Sequence, residues 1–180
     1  MRIISGKNRG KRIIAPKKLP VRPTTDMAKE GLFNILNNRY RFEDVKVLDM
    51  FAGTGNISYE FGSRGTKDIT AVDASAPCAS FIIKTSKALD LDINVKRMDC
   101  FKYLERTRER FDIIFADPPY HLDVSVFSKI PELVFEHNRL QKDGLLIIEH
   151  ADRMNLEHLK HFHVQRKYGS SIFSFFQELD

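Results

Sequence analysis

The chain has 180 residues, 42% hydrophobic and 29% charged, a length and balance suited to one globular domain. No tract approaches the roughly 20 apolar residues of a membrane span. The start, Met1-Arg2-Ile3-Ile4-Ser5, runs into bases without an apolar signal core, so a cytoplasmic location is expected.

The net charge of +5 is concentrated at one end. Residues 1–22 hold Arg2, Lys7, Arg9, Lys11, Arg12, Lys17, Lys18 and Arg22 and no acid. The remaining 158 residues hold 21 bases against 24 acids. A basic arm on a near-neutral body suits attraction to phosphates. Cys78 and Cys100 stand alone, without a His or Cys cluster, so neither a disulfide framework nor a metal site is expected.

In chain order, residues 2–5 and 11–15 are β-prone runs around Gly6-Lys7-Asn8-Arg9-Gly10, a pattern that predicts a hairpin. That hairpin is expected outside the main core, its loop holding Lys7 and Arg9 outward. Pro16, Pro20 and Pro23 make 16–23 an extended connector. Thr24-Thr25-Asp26 opens a helix with Ala28, Leu32, Ile35 and Leu36 on one face. Strands and helices then alternate. Strands are predicted at 45–50, 69–73, 93–98, 111–116 and 145–149, the last beginning after a turn at Gly144. Helices are predicted at 56–63, up to residue 89, and at 101–108, 124–138 and 156–160, with Pro131 kinking or splitting the fourth. Residues 162–168 and 171–177 form an antiparallel hairpin around Gly169-Ser170. Phe175 and Phe176 should face opposite sides of a regular strand. Such alternation predicts an open α/β sheet, mostly parallel, with ligands beyond the carboxyl ends of the strands.

Chemistry-bearing residues fall at those ends. Asp49-Met50-Phe51-Ala52-Gly53-Thr54-Gly55 joins the first strand to a helix, and Gly53 and Gly55 allow close approach of a ligand to the backbone. Ser58 replaces the third glycine of a dinucleotide fingerprint, which favours a nucleoside without a pyrophosphate. Asp73 ends the second strand and can accept both hydroxyls of a ribose. Asp99 can accept from an adenine amine, with Cys100 close to the ring. Asp117-Pro118-Pro119-Tyr120 follows the most apolar strand. The two prolines remove two N–H donors, so carbonyls dominate this turn. Asp117 and the Pro118 carbonyl could take both hydrogens of an exocyclic amine, and Tyr120 could stack on its ring. Two acceptors favour the pyramidal amine, whose lone pair can attack an electrophilic methyl. His158, His161 and His163 straddle a helix–strand boundary and read as surface residues.

Asp49 to Gly55 resembles the first motif of class I S-adenosylmethionine-dependent methyltransferases, and Asp117 to Tyr120 resembles their amino-methylating motif. With Arg9-Gly10-Lys11-Arg12, the run from Arg22 to Asn34, and Ser63-Arg64-Gly65, nearly the whole chain resembles the RsmD-type 16S rRNA guanine-N2 methyltransferases. The resemblance implies a Rossmann-like domain over 24–180 with a basic β-hairpin arm and linker over 1–23. It also implies methylation of small-subunit rRNA at guanine 966. It implies cofactor contacts from Thr24, Asp49, Phe51, Gly53, Gly55, Asp73, Asp99 and Cys100, and catalysis by Asp117, Pro118 and Tyr120. RNA contacts would come from Arg2, Lys7, Arg9, Lys11, Arg12 and Arg22. Lys29 stands where the family usually has Arg, and Asp73 where many members have Glu. The competing readings are an N6-adenine methyltransferase, a noncatalytic RNA-binding protein on the same fold and, more distantly, an NAD-linked oxidoreductase.

Overall fold

A computed structural model describes residues 1–19, 24–119 and 121–178. The elements, in order, are α1 (Asp26–Asn37), β1 (Lys46–Met50), α2 (Asn56–Ser63), β2 (Asp68–Asp73), α3 (Ala76–Ala88) and β3 (Asn94–Arg97). There follow α4 (Cys100–Arg106), β4 (Phe111–Ala116), α5 (Val124–Glu136), β5 (Leu140–Ala151), β6 (Phe162–Tyr168) and β7 (Ser171–Phe176). The seven strands form one sheet in the order β3-β2-β1-β4-β5-β7-β6. β1 to β5 are mutually parallel, and β7 runs antiparallel to both β5 and β6. This is the expected Rossmann-like class I architecture.

The sheet buries both faces, so its central strands are apolar at nearly every position. On one face Leu48, Met50, Ile114, Ala116, Leu146 and Ile148 pack against α4 and α5. On the other, Val47, Ile113, Phe115, Leu145 and Ile147 pack against α1 and α2. Phe175 belongs to the second cluster and Phe176 to the first, the alternation expected of a regular strand. Thr25 caps α1, its hydroxyl accepting from the Ala28 N–H at 3.2 Å.

Three local expectations change. α5 runs through the buried Pro131 as one helix, because its apolar face is locked into the core by Phe127, Ile130 and Val134. Gly144 is not a turn before β5 but lies inside it, beside Asp143 at φ 62°. A Cβ there would meet the Gln141 carbonyl at 2.8 Å, and the pairing with β4 shifts register between Phe111 and Ile113. Residues 156–160 are not helical. Turns closed by Leu159 N–H to the Leu156 carbonyl and Phe162 N–H to the Leu159 carbonyl replace the helix. Asn155 takes the Glu157 N–H, and His161 adopts φ 67°, which ends any helical continuation.

The N-terminal hairpin forms, but as a bridge between Arg2 and Arg12 rather than two full strands. Nor does it stand outside the core. Ile3 and Ile13 are buried with Ala52, Tyr59, Ala71, Ile82 and Leu89. Gly6, at φ 83°, lies so close to the Ser63 carbonyl that a Cβ would sit 1.7 Å from it. Lys7 is folded back as well: its N–H donates to the Ser63 carbonyl, and its ammonium donates to the Asp90 carbonyl at 2.5 Å. Arg9, Lys11 and Arg12 remain exposed. Residues 16–19 make a turn closed by the Leu19 N–H on the Pro16 carbonyl; the rest of the expected connector, residues 20–23, lies outside the described residues.

The arm is anchored by a buried ion pair. Lys29 and Glu60 are both fully buried, with Lys29 Nζ 3.4 Å from Glu60 Oε2. Lys29 also donates to the Arg2 carbonyl at 2.6 Å and to Asn56 Oδ1 at 2.8 Å. Glu60 accepts the N–H groups of Ile4 and Ser5 and the Nε of Arg64. Both charges thus have further hydrogen-bond partners besides each other, the condition under which a buried ion pair persists. Lys29, Ser63 and Arg64 therefore hold the arm to the body.

Candidate active site

Strand pairing aligns a row of carboxylates along the carboxyl edge of the sheet. Asp49 of β1 pairs with Phe115, and Met50, Ala116 and Ile148 are level on β1, β4 and β5. Asp117 and Glu149 therefore follow on neighbouring chains. Side chains alternate along a strand, so Asp49, Asp117 and Glu149 share the face of Val47, Phe115 and Ile147. Asp73 ends β2 on that same face.

The loop after β1 is built to expose its backbone. Phe51 and Gly53 adopt φ 57° and 55°, and Gly55 begins α2 at φ 80°. The Gly53 N–H donates to Asp73 Oδ2 at 2.8 Å, while Asp73 Oδ1 takes the Ser75 N–H at the same distance. The Phe51 N–H donates to Cys100 Sγ at 3.2 Å, and the Cys100 thiol donates to the Val72 carbonyl at 3.6 Å. Burial pushes this thiol's pKa up, so Cys100 is suited to packing rather than nucleophilic attack. Asp99 caps α4, Oδ1 accepting the Lys102 N–H at 2.9 Å.

A cavity of about 1120 Å³ opens over this edge. Thr24, Asp49, Phe51, Gly53, Asp73, Asp99, Cys100, Asp117 and Pro118 all line it. Gly55 is not among its lining residues. A Cβ at Gly55 would collide with the Tyr59 ring at 2.7 Å, so this glycine admits the tyrosine behind the loop. Tyr120 and Arg22 lie outside the described residues. Of the expected RNA contacts, Arg2, Lys7, Arg9, Lys11 and Arg12 are all exposed; Arg2 pairs with Asp26 at 3.3 Å and Lys7 donates to the Asp90 carbonyl, both at the surface.

Several site residues carried no signal in the sequence. Ser58 fills the missing-glycine position and donates both its N–H and its hydroxyl to Asp49 Oδ2, at 3.1 and 2.6 Å. Burial nevertheless pushes Asp49 up to about 7, against those two bonds. Asn56 lines the cavity and donates to the Thr24 carbonyl at 3.0 Å. Glu149, 1% exposed, accepts the Thr24 hydroxyl at 2.5 Å. Asp117 is held well above the usual carboxylate range by burial first, and then by Glu149 and Asp49. Among the described residues no group of three or more His, Cys, Asp or Glu side chains is arranged to hold a metal, and no helix is long and apolar enough to cross a membrane.

Comparison with known proteins places this geometry. The family model described as conserved hypothetical protein 95 matches residues 1–177. The putative rRNA methyltransferase YlbH of Bacillus subtilis is 32% identical over 161 residues, which cover 87% of this chain and 85% of YlbH. The ribosomal RNA small subunit methyltransferase D of Haemophilus influenzae is 30% identical over 155 residues, covering 83% and 78%. A solved structure of the putative methyltransferase yhhF from Escherichia coli superposes with a TM-score of 0.85 at 26% identity, covering 98% of this chain and 97% of that one. The chain belongs to the RsmD-type family of S-adenosylmethionine-dependent rRNA methyltransferases.

Proposed function

We propose that this protein transfers a methyl group from S-adenosylmethionine to the exocyclic N2 amine of a guanine in 16S rRNA, the residue equivalent to position 966. The observation that carries this reading is Asp117 with the donor-free Pro118-Pro119 turn on the wall of the cavity shared by Asp73 and Asp99. One pocket thus offers a nucleoside clamp and a pair of acceptors for an aromatic amine.

The residues present fit the cofactor. Its ribose hydroxyls suit Asp73, whose oxygens are fixed by Gly53 and Ser75 and keep further lone pairs. Its adenine suits Asp99 and the apolar walls of Phe51, Cys100 and Phe101. The row of acids suits a sulfonium cation. When bound, the cofactor supplies an electrophilic methyl group. Asp117 and the Pro118 carbonyl accept the two amine hydrogens, Tyr120 stacks on the base, and the exposed Arg9, Lys11 and Arg12 meet RNA phosphates.

The experiment is mass-spectrometric mapping of 16S rRNA, alone and in small-subunit particles, after incubation with the protein and S-adenosylmethionine. N2-methylguanine at the 966-equivalent position is the expected product. N6-methyladenine would favour the adenine reading, and binding without methylation would favour a noncatalytic protein.

A further inference from the structure

The carboxylate of Glu149 is buried and is not among the residues that line the cavity, yet it is held by a hydrogen bond. It sits at the end of β5, 1% exposed, on the strand neighbouring Asp117 and on the same face. Thr24 donates its hydroxyl to Oε2 at 2.5 Å, and Ser171 of β7, two residues from the Phe173 that pairs with Glu149, favours the charged carboxylate. Thr24 is held in turn, its carbonyl accepting from Asn56, whose other amide atom accepts from Lys29. A buried acid beside a second, half-buried acid, with no cation between them among the described residues, is expensive. Among the described residues, the charged groups acting on Asp117 are acids, Glu149 from β5 and Asp49 from β1. Lys29, the buried cation on this face, is engaged by Glu60.

We propose that Glu149 is a positioning residue of the transfer reaction: held by Thr24 on the strand beside Asp117, it readies that carboxylate to take the proton that the amine releases. This rests on the reading of Asp117 as the amine acceptor. In the step, the nitrogen lone pair forms the new bond to the methyl carbon, and the carbon–sulfur bond breaks with its electrons on sulfur. The nitrogen can then keep only one hydrogen, and the other passes as a proton to Asp117. An ordinary aspartate is a weak base, and a neighbouring negative charge strengthens its hold on a proton. Asp117 has two such neighbours; burial raises the pKa of Glu149 itself, and the Thr24 hydroxyl and Ser171 oppose that rise by favouring its charged form.

The test is Glu149→Gln, whose amide oxygen can still accept from Thr24. In the cofactor-free full chain, carbon-13 NMR follows the titration of the Asp117 carboxyl, identified by its absence in Asp117→Asn. The wild-type midpoint is expected well above the usual aspartate range of about 3.5–4, and Glu149→Gln should lower it by about one pH unit or more. The acidic limb of kcat for rRNA methylation should move down by the same amount, with KM for RNA changed less than about twofold. An unmoved midpoint, or a uniform loss of activity with the acidic limb in place, would overturn the proposal. Should the variant fail to fold, a wild-type Asp117 titrating in the ordinary range would overturn it equally. The titration needs no substrate, so a product other than N2-methylguanine would defeat the guanine reading while leaving this result to stand or fall alone.

Discussion

The Thr24 hydroxyl donates to Glu149 at 2.5 Å across 125 residues of sequence. That bond ties the segment before α1 to the carboxyl end of β5. It continues through Asn56 to Lys29 and Glu60, and so to the backbone of the arm at Arg2, Ile4 and Ser5. The basic arm and the acidic edge of the sheet belong to one hydrogen-bonded system.

The first prediction concerns that system. Lys29→Met leaves the buried Glu60 with Arg64 as its remaining cation and leaves the Arg2 carbonyl and Asn56 Oδ1 without their donor, and should lower stability by about 3–5 kcal/mol. Adding Glu60→Gln should recover part of the loss, since one cation no longer has to balance the buried carboxylate alone. Urea denaturation of both variants measures this, and a Lys29→Met protein of native stability would contradict it.

Asp73→Ala should weaken S-adenosylmethionine binding by about 1–3 kcal/mol. The variant loses an acceptor and also frees the Gly53 N–H that Asp73 holds. Calorimetric titration with the cofactor reads the effect directly.

Asp117→Ala should leave cofactor affinity nearly intact while lowering kcat by about 10²–10³. The side chain acts on the amine in the transition state, so its loss appears in turnover. Single-turnover methylation of rRNA beside cofactor calorimetry separates the two.

Asp49 gives a pH dependence of definite sign. Its pKa rises from the ordinary 3.8 to about 7 on folding. Between those values the native state holds a proton that the unfolded chain has lost. Its contribution is therefore fully present below the lower value and declines as pH rises through the window. Asp49→Asn removes this source of decline, so stability measured by urea denaturation should fall less steeply between about pH 4 and pH 7 than in the wild type.

Arg9, Lys11 and Arg12 can be neutralised without touching Ile3, Ile13 or Glu60. The triple glutamine variant should keep its fold and its cofactor affinity. For every phosphate that one of these side chains neutralises, its replacement should flatten the slope of log RNA affinity against log salt by about 0.7–0.9. Equal slopes for variant and wild type would exclude these three side chains from phosphate binding. Deleting residues 1–15 is a different experiment, because it strips Ile3 and Ile13 from the core and should destabilise the whole domain.

The sequence by itself determined the order of the seven strands and of helices α1 to α5, the open, mostly parallel sheet and the residues at its carboxyl edge, but added a helix at 156–160 that the fold does not form. Those signals are local: apolar runs such as Phe111–Ala116, the glycines after Met50 and the prolines after Asp117 constrain their own backbone. Tertiary structure alone decided which partners those residues meet. Lys29, Glu60, Asn56 and Glu149 are polar residues that a linear reading assigns to solvent, but packing α1, α2 and the arm onto one face of the sheet buries them and forces them to bond one another. Lys7 stays exposed, as its place in a glycine-flanked loop predicts, but the approach of Gly6 to Ser63 brings its ammonium to the Asp90 carbonyl, a partner the sequence does not name. A buried polar group must find a partner wherever the fold supplies one, and distance in space, which the sequence does not write, decides which partner it finds.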